Sequence, residues 1–192
     1  MKLEQIDGET RLYGIVGDPI SAVRSPEVFN AFFARSGINA VLVPLHVSAD
    51  QLASAWAGLT SVRNLCGLVF TMPHKARVTA LLDEVGTAGR IVGAVNAARR
   101  EPDGRWRGDM FDGAGFIDGL RAQGHAVKGW NVRLSGLGGA GAAIAVALAQ
   151  AGVARLTLND QDGARQSMLV NQLQAEFPCV RIATGNSCDS PF

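Results

Sequence analysis

The chain has 192 residues, 47% of them hydrophobic and 18% charged, with a formal net charge of +1. That length suits one large domain or two small ones, and the composition describes a globular protein with a sizeable core. Lys and Arg are scattered, the densest group being Arg99, Arg100, Arg105 and Arg107, which is too thin for a phosphate-tracking stripe and excludes nucleic acid as a partner.

Cys66, Cys179 and Cys188 lack metal-ligand spacing, and an odd number cannot all pair within one chain. Reduced thiols in a cytoplasm and no metal site are therefore expected. The N-terminus has no apolar run of the signal-peptide kind, and the most apolar stretch, residues 140–149, is too short to span a bilayer, so no membrane is expected.

In chain order, residues 12–16 read as a strand ended by the turn Gly17-Asp18-Pro19. Ser25-Pro26-Glu27 reads as a helix start: Ser can cap, Pro fits the first turn, and Glu suits the positive end of the helix. That helix runs to about residue 36, before Gly37. A strand at 40–46, a helix at 49–58 and a strand at 65–70 follow. Pro73 then breaks the chain before a helix at 75–82, and 91–98 reads as a further strand. Glu101-Pro102-Asp103-Gly104 is a turn from which Arg105-Trp106-Arg107 can pair back as a hairpin. This alternation predicts a mainly parallel α/β domain.

Composition shifts after Asp112. A helix at 114–123, a strand at 131–135, a glycine-rich turn at 136–141 and a nearly all-apolar helix at 142–151 come next. A strand at 155–159, a polar helix at 163–176 and a strand at 180–183 complete a strand–helix–strand–helix–strand series. The expected boundary divides a domain of 1–111 from a second of 112–192, and residues 184–192 read as an exposed tail.

Gly136-Leu137-Gly138-Gly139-Ala140-Gly141 has the spacing G-x-G-x-x-G between a strand and a helix. In a dinucleotide-binding turn Gly136 permits the tight bend, Gly138 lets the backbone approach a pyrophosphate, and Gly141 permits close helix-to-sheet packing. Gly139 and Ala140 open the helix, whose N-terminus offers N–H groups and a positive dipole end. A plain strand-to-helix turn without ligand is the other reading of the same pattern. Asn159 and Asp160 end the following strand, where the adenosine ribose would lie. A carboxylate there accepts from a ribose 2′-OH and repels a 2′-phosphate, which favours NAD over NADP as cofactor.

Two residues suit proton chemistry. Lys75 follows an apolar strand in Thr71-Met72-Pro73-His74-Lys75, and Asp112 lies in Gly108-Asp109-Met110-Phe111-Asp112-Gly113. A lysine at a partly desolvated cleft edge can shuttle a hydroxyl proton, and a carboxylate nearby can orient both groups. From spacing alone, Lys75 reads as a solvated first-turn residue and Asp112 as a helix cap. His74 reads as a packing or surface residue, Cys66 as packed beside its strand, and Trp56, Trp106 and Trp130 as core or junction fillers.

Gly17-Asp18-Pro19-Ile20 with Ser25-Pro26, Thr71-x-Pro73-x-Lys75, Gly93-Ala94-Val95-Asn96, Gly108-Asp109-x-x-Asp112-Gly113-x-Gly115 and the Gly136 turn occur in this order. Together they resemble the motifs of the shikimate dehydrogenase family. The resemblance implies Lys75 and Asp112 as a catalytic dyad, with Ser25, Thr71 and Asn96 holding a small ring acid. The implied reaction interconverts shikimate and 3-dehydroshikimate with NAD or NADP. Ala22, Val23 and Val69 stand where the family has polar residues, as do Met110 and Phe111 before Asp112. Val23 is thus an apolar member of the substrate-binding set, and a less hydroxylated or differently substituted ring acid would suit it.

The expected architecture is a mainly parallel α/β substrate domain followed by a Rossmann-like dinucleotide domain that is incomplete relative to the longer family members. Apolar faces left uncovered on that shortened sheet would favour a homodimer or other association. Rival readings are a non-catalytic ligand-sensing or interaction module, and a quinate or amino-ring-acid dehydrogenase.

Overall fold

The computed structural model describes residues 6–185. By their contacts these residues form two compact units. The first holds residues up to Gly86 together with Ala94–Asp109, and the second holds Thr87–Gly93 and the chain from Met110 onward.

In the first unit β1 (Arg11–Gly17), α1 (Ser25–Arg35), β2 (Ala40–His46), α2 (Leu52–Ser61) and β3 (Leu65–Phe70) alternate as the periodicity predicts. Next come a four-residue helix α3 (His74–Arg77), a 3-10 turn (Val78–Leu81) and a two-residue strand β4 (Glu84–Val85). A hairpin of β5 (Ala97–Arg100) and β6 (Trp106–Asp109) closes the unit. Its sheet has the order β2-β1-β3-β5-β6-β4. β1 runs parallel to β2 and β3, whereas the hairpin strand β5 runs antiparallel to β3. The apolar residues of the inner strands meet one helix-side cluster built on Val16, Leu68, Phe70, Val78, Val95 and Trp106. Pro44 is tolerated in β2 because that strand lies at the sheet edge.

Arg100 locks the hairpin to this core. Its guanidinium donates to the carbonyls of Thr60 (2.6 Å), Val62 (3.0 Å) and Leu65 (3.1 Å) and lies 5.1 Å from the Trp106 ring centre. Trp56 and Trp106 meet edge to face at 5.2 Å in the core, while Trp130 is 43% exposed and fills none. Cys66 is half-buried within β3.

In the second unit α4 (Thr87–Val92) stands where the sequence reads the start of a strand. Its Ala88, Ile91 and Val92 pack on the core of this unit, which explains why that apolar run is helical. α5 (Asp112–Ala122), β7 (Asn131–Ser135), α6 (Gly139–Gln150), β8 (Arg155–Asn159), α7 (Gly163–Glu176) and β9 (Arg181–Thr184) follow. β9 takes in Thr184, the first residue of the expected tail; residues 186–192 lie outside the described part.

The three strands pair in parallel in the order β7-β8-β9. Paired residues share a face of a sheet. Val132, Leu156 and Ile182 form one row and Leu134 with Leu158 another, all turned to the helices. The opposite face carries Asn131, Arg155 and Arg181 in one row and Arg133, Thr157 and Ala183 in the next. The outer face is therefore polar, and the expected uncovered apolar face is not what this sheet presents. α6 is so rich in Ala that seven of its twelve residues are buried, and it serves as the central pillar.

Candidate active site

In the first unit, the candidate residues lie at the C-terminal ends of β1, β2 and β3, where three loops are stitched together by backbone bonds. The Thr71 N–H donates to Val16 O (3.0 Å), Asp18 N–H to Met72 O (3.0 Å) and Val47 N–H to Gly17 O (3.2 Å). A methyl group on Gly17 would overlap Thr71 Cγ2, so glycine here allows the first and third loops to touch. Met72–Pro73 and Asp18–Pro19 are cis.

Thr71 is half-buried just beyond β3, and Lys75 is half-buried in α3. The Lys75 carbonyl accepts from Val95 N–H (2.8 Å), and Asn96 O accepts from Phe70 N–H (2.8 Å). Thr71, Lys75 and Asn96 are thus tied to one junction between β3 and β5. Ser25 is the first residue of α1, but Arg24 occupies the cap position and no side chain caps the helix. The expected capping role of Ser25 is therefore corrected. Val23 packs with Val69 against the apolar cluster of Ile15, Phe33, Ala40 and Leu42. His74 is fully buried, and its Nε2 lies 2.7 Å from the Val47 carbonyl oxygen. The sequence gives no sign of a contact between His46 Nε2 and Asp18 Oδ1 at 2.8 Å, which spans the loops after β1 and β2.

The second unit carries its own candidate residues. Asp112 opens α5 inside the first turn, where the positive helix end favours a carboxylate; Phe111 holds the cap position. Gly113 faces α6 so closely that an added methyl group would overlap the Ala143 carbonyl and stand 2.9 Å from Ala147 Cβ.

In the glycine-rich turn, Gly136 has φ +90° and its N–H donates to Asn159 O (2.9 Å). Gly138 caps α6 in an extended conformation, and the first helical bond runs from Ala142 N–H to Gly138 O (2.8 Å). The N–H groups of Gly139, Ala140 and Gly141 precede that bond and have no acceptor within the helix. An added methyl group meets nothing within 4 Å at Gly138 or Gly139, but at Gly141 it would overlap the Gly136 carbonyl oxygen. Gly141 is thus needed inside the turn itself, and not for helix-to-sheet packing.

Asp160 clasps this turn. Its Oδ2 accepts from Leu137 N–H (2.5 Å) and its Oδ1 from Asp162 N–H (2.8 Å), with Arg165 Nη1 3.6 Å from Oδ1. The bonds from Asp162 and Leu137, with the Arg165 charge, hold its carboxyl below the ordinary carboxylate value. Nothing in sequence reveals the clasp, since the partner is a backbone N–H. The Asn159 Oδ1 atom is buried and has no hydrogen-bond partner. A hollow of about 350 Å³ beside the turn is lined by Leu137, Gly138, Gly139, Arg165, Met168 and Gln172. A turn whose helix-opening N–H groups have no acceptor within the helix, with two glycines facing open space, fits a dinucleotide.

Among the described residues, no three His, Cys, Asp or Glu side chains gather as a metal site, and no helix is long and apolar enough to cross a membrane.

The shikimate dehydrogenase substrate binding domain family matches residues 15–98. A shikimate dehydrogenase (NADP(+)) of Rubrobacter xylanophilus is 42% identical over 165 residues, covering 86% of this chain and 58% of that protein. The chain therefore spans about three fifths of the length of the curated relatives it matches. Shikimate 5-dehydrogenase of Listeria monocytogenes, solved with shikimate and NAD, superposes with a TM-score of 0.86 at 30% identity, over 94% of this chain and 62% of that one. The 5-ketofructose reductase of Gluconobacter sp. strain CHM43 gives 0.84 at 28% identity, over 93% and 63%. Residues 15–98 thus belong to the shikimate dehydrogenase substrate binding domain family, and the chain as a whole is similar to shikimate dehydrogenases by sequence and by fold.

Proposed function

We propose that the chain carries the ring-acid and dinucleotide sites of a shikimate dehydrogenase-like oxidoreductase. The observation that carries this reading is the coincidence, in one chain, of Lys75 inside the matched substrate-binding region with a glycine-rich turn built to receive a pyrophosphate. A nicotinamide dinucleotide, when bound, supplies the hydride acceptor. Lys75 takes the hydroxyl proton of the ring acid, and Asp112 orients amine and hydroxyl. Ser25, Thr71 and Asn96 hold hydroxyl and carboxylate groups of the substrate, with Val23 as an apolar wall. Gly136, Gly138, Gly139, Ala140, Gly141, Asn159 and Asp160 serve the cofactor. The expected substrate domain of 1–111 acts without its Thr87–Gly93 segment, which packs with the cofactor domain expected at 112–192.

NAD is the preferred form on this reading, because the Asp160 carboxylate stands at the expected ribose position and repels a 2′-phosphate, an effect that the Arg165 charge 3.6 Å away offsets in part. The relative of Rubrobacter carries NADP(+) in its name, so the ratio of the two affinities is the measurement to make. The substrate is shikimate or a less hydroxylated analogue, since each lost polar partner leaves a ring hydroxyl unpaired at about 1–3 kcal/mol.

The test is absorbance at the reduced-nicotinamide band with NAD or NADP against shikimate and quinate. Turnover that falls by about 100-fold or more in Lys75→Ala and in Asp112→Ala supports the enzyme. Tight ring-acid binding without turnover supports the second reading, a ligand-sensing module, which the apolar packing of Val23 and Val69 favours.

A further inference from the structure

We propose that His74 is a positioning residue for Lys75, fastening the turn that carries the amine to the loop after β2. The proposal rests on the reading of Lys75 as the proton-handling group.

His74 is 0% exposed, and its Nε2 lies 2.7 Å from the carbonyl oxygen of Val47. A carbonyl only accepts, so Nε2 carries the hydrogen and donates it. Nδ1 is then a bare acceptor, and it is buried without a partner. A position that needed only filling would take Phe or Leu and avoid the orphaned nitrogen. The imidazole is explained by the bond at its other end.

That bond completes a ring of links. Val47 N–H donates to Gly17 O (3.2 Å), Asp18 N–H to Met72 O (3.0 Å), and Thr71 N–H to Val16 O (3.0 Å). His74 joins Val47 back to the third loop by a side chain. On its far side Lys75 is held through its carbonyl by Val95 N–H at 2.8 Å. The Lys75 backbone is therefore pinned from both directions, and cutting the His74 link frees one. A reacting group displaced by about 1 Å can lose about 100-fold in rate.

The experiment compares His74→Phe, which fills the space without a donor, and His74→Gln, whose amide N–H₂ can reach Val47. In folded His74→Phe, kcat should fall about 10-fold or more with KM within about two-fold, and His74→Gln should recover most of the loss. Reductive methylation of Lys75, followed by peptide mass, reads the amine without turnover and should proceed at a changed rate. Long-range ¹H–¹⁵N spectra of the unchanged chain should show the Nε2–H tautomer. Methylation at the unchanged rate in folded His74→Phe overturns the proposal. An Nδ1–H tautomer does so too, even if that variant fails to fold. Absence of turnover in the unchanged chain counts against the enzyme reading, and the methylation and tautomer data still decide the role of His74.

Discussion

Substituting single glycines of the cofactor turn separates its packing from its ligand chemistry. In Gly141→Ala the new methyl group overlaps the Gly136 carbonyl oxygen and stands 2.9 Å from the carbonyl carbon, against an ordinary contact of 3.4–4 Å. Backbone, not a flexible side chain, must move, by about 1 Å or more. Such overpacking costs about 1–3 kcal/mol, and the helix preference of Ala over Gly returns about 0.5–1 kcal/mol of it. A net loss of about 1–2 kcal/mol lowers the melting midpoint of a chain this size by about 2–8 °C. Gly138→Ala meets no protein atom within 4 Å, and φ −64° suits alanine. Its midpoint should shift by no more than about 1–2 °C, yet its methyl group points where a pyrophosphate would approach. Dinucleotide affinity should fall about 10-fold or more, equivalent to about 1.4 kcal/mol. Thermal melts and calorimetric titration with NAD, NADP and ADP-ribose measure both effects. Folded Gly138→Ala that binds dinucleotide as tightly as the unchanged chain would refute the pyrophosphate reading, and an unshifted Gly141→Ala would refute the packing argument.

On α5, Gly113→Ala should destabilise by about 1–3 kcal/mol because its methyl group overlaps the Ala143 carbonyl, whereas Gly115→Ala, which meets nothing, should stabilise by about 0.5–1 kcal/mol; equal signs in denaturant titrations would contradict the α5–α6 contact. Arg100→Lys should lower stability by about 1–2 kcal/mol, since an ammonium cannot span the carbonyls of Thr60, Val62 and Leu65; a melt unchanged within error argues against that span. The depressed carboxyl of Asp160 adds stability that is complete above pH of about 4 and disappears as pH falls through its lowered native value. Asp160→Asn should accordingly be less stable near neutrality and lose less on acidification, and superimposable acid-unfolding curves would exclude this.

Where local pattern and tertiary demand agree, the chain can be read directly. The alternation through β1, α1, β2, α2 and β3 carries the period of each element, and the strand–turn–helix around Gly136 is visible from glycine spacing alone. Thr87–Val92 was opaque for a physical reason: a short apolar run such as Ile91-Val92 serves strand and helix equally, and its helical form follows from packing on α6. β4 has two residues, too few for any period. At the site, residue types pointed to Lys75, Asp112 and the glycines, but not to contacts made with backbone. Asp160 reads in sequence as a ribose acceptor, and only the fold reveals Leu137 N–H on its carboxylate. The burial of His74 was equally hidden, because its hydrogen-bond partner is a carbonyl distant in sequence.

The assignment of Thr87–Gly93 to the second unit means that the polypeptide passes between the units after Gly86, after Gly93 and again after Asp109. No single proteolytic cut can therefore release either one intact. A fragment expressed from Met110 onward would lack Ala88, Ile91 and Val92, and would leave bare the apolar surface they cover. That fragment alone would recover the cover only if residues 87–93 were supplied in trans, so complementation by a peptide spanning them reports how much of the second core the excursion completes.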